Sequence, residues 1–261
     1  MTHIQIMKAQ ATPGNPEAQI AEIVRIFQET PYDFFSEPEL HARFYSLCRD
    51  KFPTFKTSDG KSVAAFRCQY ETVWRYQRGD RFSDRYHDRG TVSTFDFVVL
   101  RRGFILYSTY LTVLNKTEPL RTEFRTPPGK DQFYTSLPTQ QAIELKLAHV
   151  QDKLEISEGQ INRLEDRLLA ACCKLAQERV PHAYIIGLSQ GPQPDWPRAN
   201  SMVDACLRLY KARYPDGEIS VCVATPEQTL LGGDWLEEVE FPKVTIAKGW
   251  PVGNDEESTL P

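Results

Sequence analysis

The stretch Thr139-Gln-Gln-Ala-Ile-Glu-Leu-Lys-Leu147 constrains this chain more than any other. It reads as a short buried strand carrying two charges. Side chains alternate across a strand, so Glu144 and Lys146 share one face, while Ile143, Leu145 and Leu147 take the other and suit a core. Unpaired charge is costly to bury, so an acid and a base on one face of an apolar strand need a reason. One reason is a mutual salt bridge. The other is a metal site, with Glu144 as ligand and Lys146 beside it.

A second strand supplies a partner acid. Ser93-Thr-Phe-Asp-Phe-Val-Val-Leu100 is an apolar run, β-branched and aromatic, with one carboxylate, Asp96. Two carboxylates on neighbouring strands can hold a divalent cation through oxygen, as Mg²⁺ prefers. An ammonium near them can position or deprotonate a water, or stabilise transition-state charge. Such a set suits hydrolysis of a phosphodiester.

Asp96, followed by Glu144-Leu145-Lys146 on the next core strand, resembles the motif of the PD-(D/E)xK, or restriction-endonuclease-like, nucleases. The resemblance spans roughly Glu37 to Thr225. Phe95 rather than Pro precedes Asp96, and the long separation of Asp96 from Glu144 requires an insertion between their strands. The resemblance implies an α/β fold: a central mixed sheet flanked by helices, in the order αβββαβ with an added αβ. It also implies catalytic residues Asp96, Glu144 and Lys146, with Mg²⁺ (Mn²⁺ as substitute) on Asp96 and Glu144. An acid on the first core helix often faces the site in this superfamily, and Glu37 is the candidate. Glu39 is its rival, although a capping box, Ser36-x-x-Glu39, already accounts for it. The resemblance implies DNA as the favoured substrate and a defence or repair setting with partner proteins.

The remaining elements agree in order. Ala18–Gln28 and the segment after Ser36 have helical spacing. Val63–Tyr76 reads as a strand whose only acid, Glu71, either joins the site or pairs with an arginine on its own sheet face. Leu154–Gln177 is an amphipathic helix. Its heptad positions 154, 161, 168 and 175 suit packing on the sheet or a homodimer seam. A strand over 183–188, a helix over 199–214 and a strand over 219–223 follow. Residues 1–17 read as a flexible arm, 18–248 as one domain with an insertion at about 101–139, and 249–261 as a flexible acidic tail. The insertion, β-prone at Tyr110–Leu114, would sit at the mouth of the site.

The net charge is −4, but residues 67–139 hold 12 Lys/Arg against 8 Asp/Glu, while the rest holds 19 against 27. A basic middle can bind a polyanion. Arg75, Arg78, Arg81 and Arg85 alternate with Tyr76, Phe82 and Tyr86, a pattern that contacts phosphates and stacks on bases. Asp80, Asp84 and Asp88 allow the alternative of a solvated, internally paired loop. No apolar run has the length of a membrane span. The first residues lack the blocks of a signal peptide, so a cytoplasmic location is the expectation. Six cysteines without a C-x-x-C pair read as reduced, buried thiols.

Gly187-Leu188-Ser189-Gln190-Gly191 matches the G-x-S-x-G nucleophile elbow of serine hydrolases, but prolines 192, 194 and 197 follow where a helix must begin. The sequence therefore supports a metal-dependent nuclease, with a binding or interaction module that keeps the same fold as the alternative.

Overall fold

The computed structural model describes residues 14–75, 92–114, 139–148, 158–191 and 196–247. Two helices open the fold. The first, α1 (Glu17–Glu29), buries Ile20, Ile23, Val24 and Phe27 completely. Its first residue, Glu17, assigned from sequence to the flexible arm, is buried instead: its carboxylate accepts from the Tyr184 hydroxyl and the Leu236 N–H. Residues 1–13 and 248–261, the rest of that arm and the acidic tail, lie outside the described residues.

The second helix, α2 (Glu37–Cys48), starts at the capping box read from sequence. Ser36 accepts from the Glu39 N–H, and the Glu39 carboxylate accepts from the Ser36 and Phe35 N–H groups. With both oxygen-bearing groups engaged, the first orphan donors of the helix are satisfied. Glu39 is thereby a cap. Leu40, Phe44 and Cys48 form the buried face of the helix.

A small hairpin, β1 (Thr54–Lys56) with β2 (Ser62–Ala64), precedes the main sheet. That sheet has seven strands in sequence order: β3 (Phe66–Arg75), β4 (Val92–Leu100), β5 (Thr139–Ala148), β6 (His182–Ser189), β7 (Glu218–Ala224), β8 (Thr229–Gly233) and β9 (Val244–Ile246). The first three form an antiparallel meander, β5, β6 and β7 run parallel, β8 is antiparallel to β7, and β9 is parallel to β8. Helix α5 (Glu158–Gln177) joins β5 to β6, and α6 (Trp196–Arg213) joins β6 to β7. The molecule is thus an α/β fold with a mixed sheet flanked by helices. The long segment between β4 and β5 is the one read from sequence as an insertion.

This segment departs from its sequence reading at Tyr110–Leu114, and residues 115–138 lie outside the described residues. Its described residues form two short helices, α3 (Arg102–Tyr107) and α4 (Tyr110–Leu114), where Tyr110–Leu114 is β-prone by composition. The Asp59 carboxylate accepts from the Tyr110 N–H at 2.9 Å, an acid at a helix start that satisfies an orphan donor and overrides the local preference. These helices leave from the end of the sheet where Leu100 and Thr139 pair. Asp96 lies midway along β4, four residues or roughly 13 Å from Leu100. At the opposite end β3 finishes at Arg75 and β4 begins at Val92.

The core is continuous across the sheet. Phe66 stacks on Phe97 with centroids 5.5 Å apart, and Phe44 of α2 meets Phe97 edge-on at 5.0 Å. Leu168 and Leu175, two of the heptad positions, are fully buried in this core rather than offered to a second copy; positions 154 and 161 lie outside the described residues or their described side chains. No cysteine is in a disulfide, and all but Cys68 are buried.

Gly187 on β6 pairs with Lys146 and lets α5 approach the sheet closely: a Cβ at this position would stand 3.0 Å from a Leu168 methyl. We predict that Gly187→Val destabilises the fold by about 1–3 kcal/mol through overpacking. A urea midpoint equal to that of the wild type would show that α5 is not held this tightly.

Candidate active site

The site forms where β4 and β5 part. The last paired rung on this side is Phe97 opposite Ile143. Beyond it, side chains replace the backbone ladder. The Asp96 carboxylate accepts from the Leu145 N–H at 2.9 Å, and the Glu144 carboxylate accepts from the Asp96 N–H at 3.4 Å. Each acid therefore takes a donor that the ladder leaves open, which fixes both carboxylates in the gap.

Lys146 joins the two acids. Its ammonium donates to Asp96 Oδ2 at 2.7 Å and to Glu144 Oε2 at 3.0 Å. Asp96, Glu144 and Lys146 therefore converge, with Glu144 and Lys146 on the one face that their strand parity predicts. Glu37, at the first turn of α2, also reaches the cluster. Its carboxylate accepts from the Leu147 N–H at 3.2 Å and lies 4.0 Å from the Lys146 ammonium.

Three further groups belong to the cluster and were not singled out in the sequence. Lys174 of α5 contacts Glu144 Oε1 at 2.5 Å, donates to the Thr94 carbonyl at 2.7 Å and sits 5.2 Å over the Phe95 ring. Arg167, one heptad earlier on α5, donates to the Glu37 carboxylate and, at 3.1 Å, to the Leu147 carbonyl. His41, one turn into α2, places Nε2 3.6 Å from Asp96 Oδ2 and 3.3 Å from the Leu145 carbonyl. Lys174 had a signal of its own: it is the lone charge in Ala170-Ala-Cys-Cys-Lys-Leu-Ala176. Arg167 and His41 look like ordinary helix-surface residues until the packing is known.

Three carboxylates, Asp96, Glu144 and Glu37, thus face the side chains of Lys146, Lys174 and Arg167. Glu144 is wholly buried, so a close cation on each of its oxygens is what makes its charge tolerable there. Burial pushes the Asp96 carboxyl up, but the charges of Lys146, Lys174 and His41 outweigh it and hold the group below its ordinary value. Burial likewise pulls Lys146 down, yet Glu144, Asp96 and Glu37 drive it above its ordinary value. Lys146 is therefore an ammonium across the physiological range.

Among the described residues no group of three or more His, Cys, Asp or Glu donors gathers as a metal site. Asp96 and Glu144 share one cation, the Lys146 ammonium. Glu71 and Arg75 belong to β3 by backbone, with side chains outside those described; Arg78, Arg81 and Arg85 lie outside the described residues.

The G-x-S-x-G stretch does not build a nucleophile elbow. Ser189 ends β6, and Gln190 and Gly191 after it are not helical. His182, engaged by Glu218 at 2.5 Å, stands at the opposite end of β6, roughly 23 Å away. Comparison of the chain with family models, with curated proteins and with solved structures returns no match.

Two outcomes follow from the ion pairs. Lys174→Met leaves one oxygen of buried Glu144 without its cation and should cost about 3 kcal/mol. Adding Glu144→Gln should recover part of that loss, giving a coupling of about 1 kcal/mol or more in a double-mutant cycle by urea unfolding. Strict additivity would mean that the pair is not energetically linked.

The second concerns pH. A carboxyl held below its ordinary value contributes stability that is full above the unfolded-state pKa of about 3.9 and is lost as pH falls through the folded value. Lys146→Met removes both a charge and a hydrogen bond from Asp96, so its carboxyl should move up. The stability gap between wild type and variant should be full at neutral pH and narrow on acidification. Urea midpoints taken from neutral to acid pH measure it, and a constant gap would contradict the assignment.

Proposed function

We propose that this protein is a metal-dependent nuclease that hydrolyses phosphodiester bonds in DNA, with a restriction-endonuclease-like core. The observation that carries the reading is the convergence of Asp96, Glu144 and Lys146 in the gap between β4 and β5, with Glu37 reaching in from α2. The element order supports it: α2, the meander β3–β4–β5, α5, parallel β6, then α6 and parallel β7.

The residues fit a divalent cation. Asp96 and Glu144 already converge on one positive charge, the Lys146 ammonium, and Mg²⁺ commonly uses only one or two carboxylates. Asp96 and Glu144 would hold Mg²⁺, or Mn²⁺ in its place, and the ion would supply neutralisation of phosphate oxygens. Lys146 keeps its proton and donates to a phosphate oxygen or to the attacking water, a stabilising role rather than that of a base. Lys174 and Arg167 hold Glu144 and Glu37 in place. Arg75, Arg78, Arg81 and Arg85 would contact phosphates; the strands that flank this segment end and begin at the same end of the sheet as the site.

One observation favours a second reading, a nucleic-acid-binding or protein-interaction module without significant activity. The cluster is charge-balanced as it stands, which is how a purely structural ion-pair network looks. Plasmid, linear and single-stranded DNA, and RNA, incubated with and without Mg²⁺ or Mn²⁺, separate the two. The nuclease reading expects metal-dependent cleavage that falls about 100-fold or more in Asp96→Asn, Glu144→Gln and Lys146→Ala. Joint replacement of Arg78, Arg81 and Arg85 should weaken binding and flatten its salt dependence. Salt-dependent binding with no cleavage under any metal would establish the module, and cleavage undiminished in all three site variants would refute the mechanism.

A further inference from the structure

The connection between α1 and α2 carries two aromatic rings that the fold leaves outside. Tyr32 is 60% exposed and Phe35 78%. Phe35 immediately precedes the cap Ser36, a position from which an apolar side chain commonly folds onto the fourth helical residue. Here that residue, Leu40, is fully buried, yet Phe35 stays in solvent. Its neighbour Phe34 is buried, with its ring 6.1 Å from Phe27. The loop sorts its two phenylalanines, one to the core and one outward.

The loop is also firmly held, and held at the site. The buried Gln190 side chain donates to the carbonyls of Pro31 at 2.6 Å and Phe34 at 2.7 Å, bracketing the segment that carries Tyr32. The Gln190 backbone N–H donates to the Ala148 carbonyl at 3.0 Å, two residues beyond Lys146. On the other side, Phe35 lies two residues before Glu37, a Cα separation of no more than about 7 Å. The backbone that carries both exposed rings is thereby anchored beside the end of β5, two residues beyond Lys146, through the residue that follows Ser189 in the G-x-S-x-G stretch.

We propose that Tyr32 and Phe35 form a stacking platform for unpaired nucleobases, so that the site takes its DNA as a single strand or a frayed end. The proposal rests on the nuclease reading for the position of the platform. A flat, rigid, exposed ring offers the free face that an unstacked base needs, and such stacking tolerates any base. A base inside a duplex has no free face to give.

The test uses the full chain with EDTA present, so that no cleavage occurs, and fluorescence anisotropy with three labelled probes: an oligothymidylate, an abasic strand of the same length, and a duplex. Wild type should bind the oligothymidylate at least about tenfold more tightly than the abasic strand. Tyr32→Ala with Phe35→Ala should abolish that difference, with duplex affinity and melting temperature unchanged, since neither ring is in the core. Phe35→Leu, apolar but without a ring face, should fail to restore it. Equal affinity of wild type for thymidylate and abasic strands, or full preference kept in the double variant, would overturn the platform and point to a protein partner for the rings. Cleavage assays on the same proteins keep the two ideas apart. Cleavage without a base preference retains the nuclease and rejects the platform. A base preference without cleavage retains the platform and rejects the nuclease.

Discussion

A fully buried carboxylate, Glu144, sets the terms for this fold. A charge in the middle of a seven-stranded sheet is tolerable only with close cations and satisfied lone pairs. Lys146 can reach it from the same strand because two residues along a strand return to the same face. Lys174 can reach it only if α5 lies close on the sheet, and that approach depends on the missing side chain at Gly187. One electrostatic requirement thus ties the β4–β5 gap, the glycine on β6 and the packing of α5 into one arrangement.

The strand-borne half of the site was legible in the sequence, and the physical reason is the short period of a strand. An isolated acid in an apolar run, or an acid and a base two apart, has few structural explanations, so Asp96, Glu144 and Lys146 stand out. Glu37 could be separated from Glu39 because the capping box gives Glu39 a local task. The helix-borne half was harder. Arg167 and His41 occupy positions that serve equally well as solvated helix surface, and only the distance between helix and sheet decides which they are. Lys174 is intermediate: its apolar neighbours marked it, but a helix stripe tolerates a long side chain at its margin more readily than a buried strand does.

The local patterns that pointed elsewhere also have physical explanations. Tyr110–Leu114 is β-prone by residue type, but five residues cannot outvote a carboxylate, that of Asp59, fixed at a helix start. The G-x-S-x-G pattern holds residues with structural tasks: Gly187 admits Leu168, and Gln190 clamps the loop before α2. Motif spacing alone does not distinguish these tasks from catalysis. The backbone that immediately follows the motif does, and Gln190 and Gly191 after Ser189 are not helical.

The protonation of Lys146 connects this electrostatic frame to chemistry. Two opposing influences act on it, burial toward the neutral amine and the three carboxylates toward the ammonium, and the carboxylates win. While Asp96 and Glu144 face it, Lys146 can only donate, and its charge is spent on holding the two acids together across the gap. Were those acids engaged by a divalent cation, the balance would change: Glu37, 4.0 Å away and itself paired with Arg167, would be the main carboxylate left to oppose burial. Lys146 would then be freer in position. The ammonium that ties Asp96 to Glu144 is therefore the group that would have to move before either acid could take another cation.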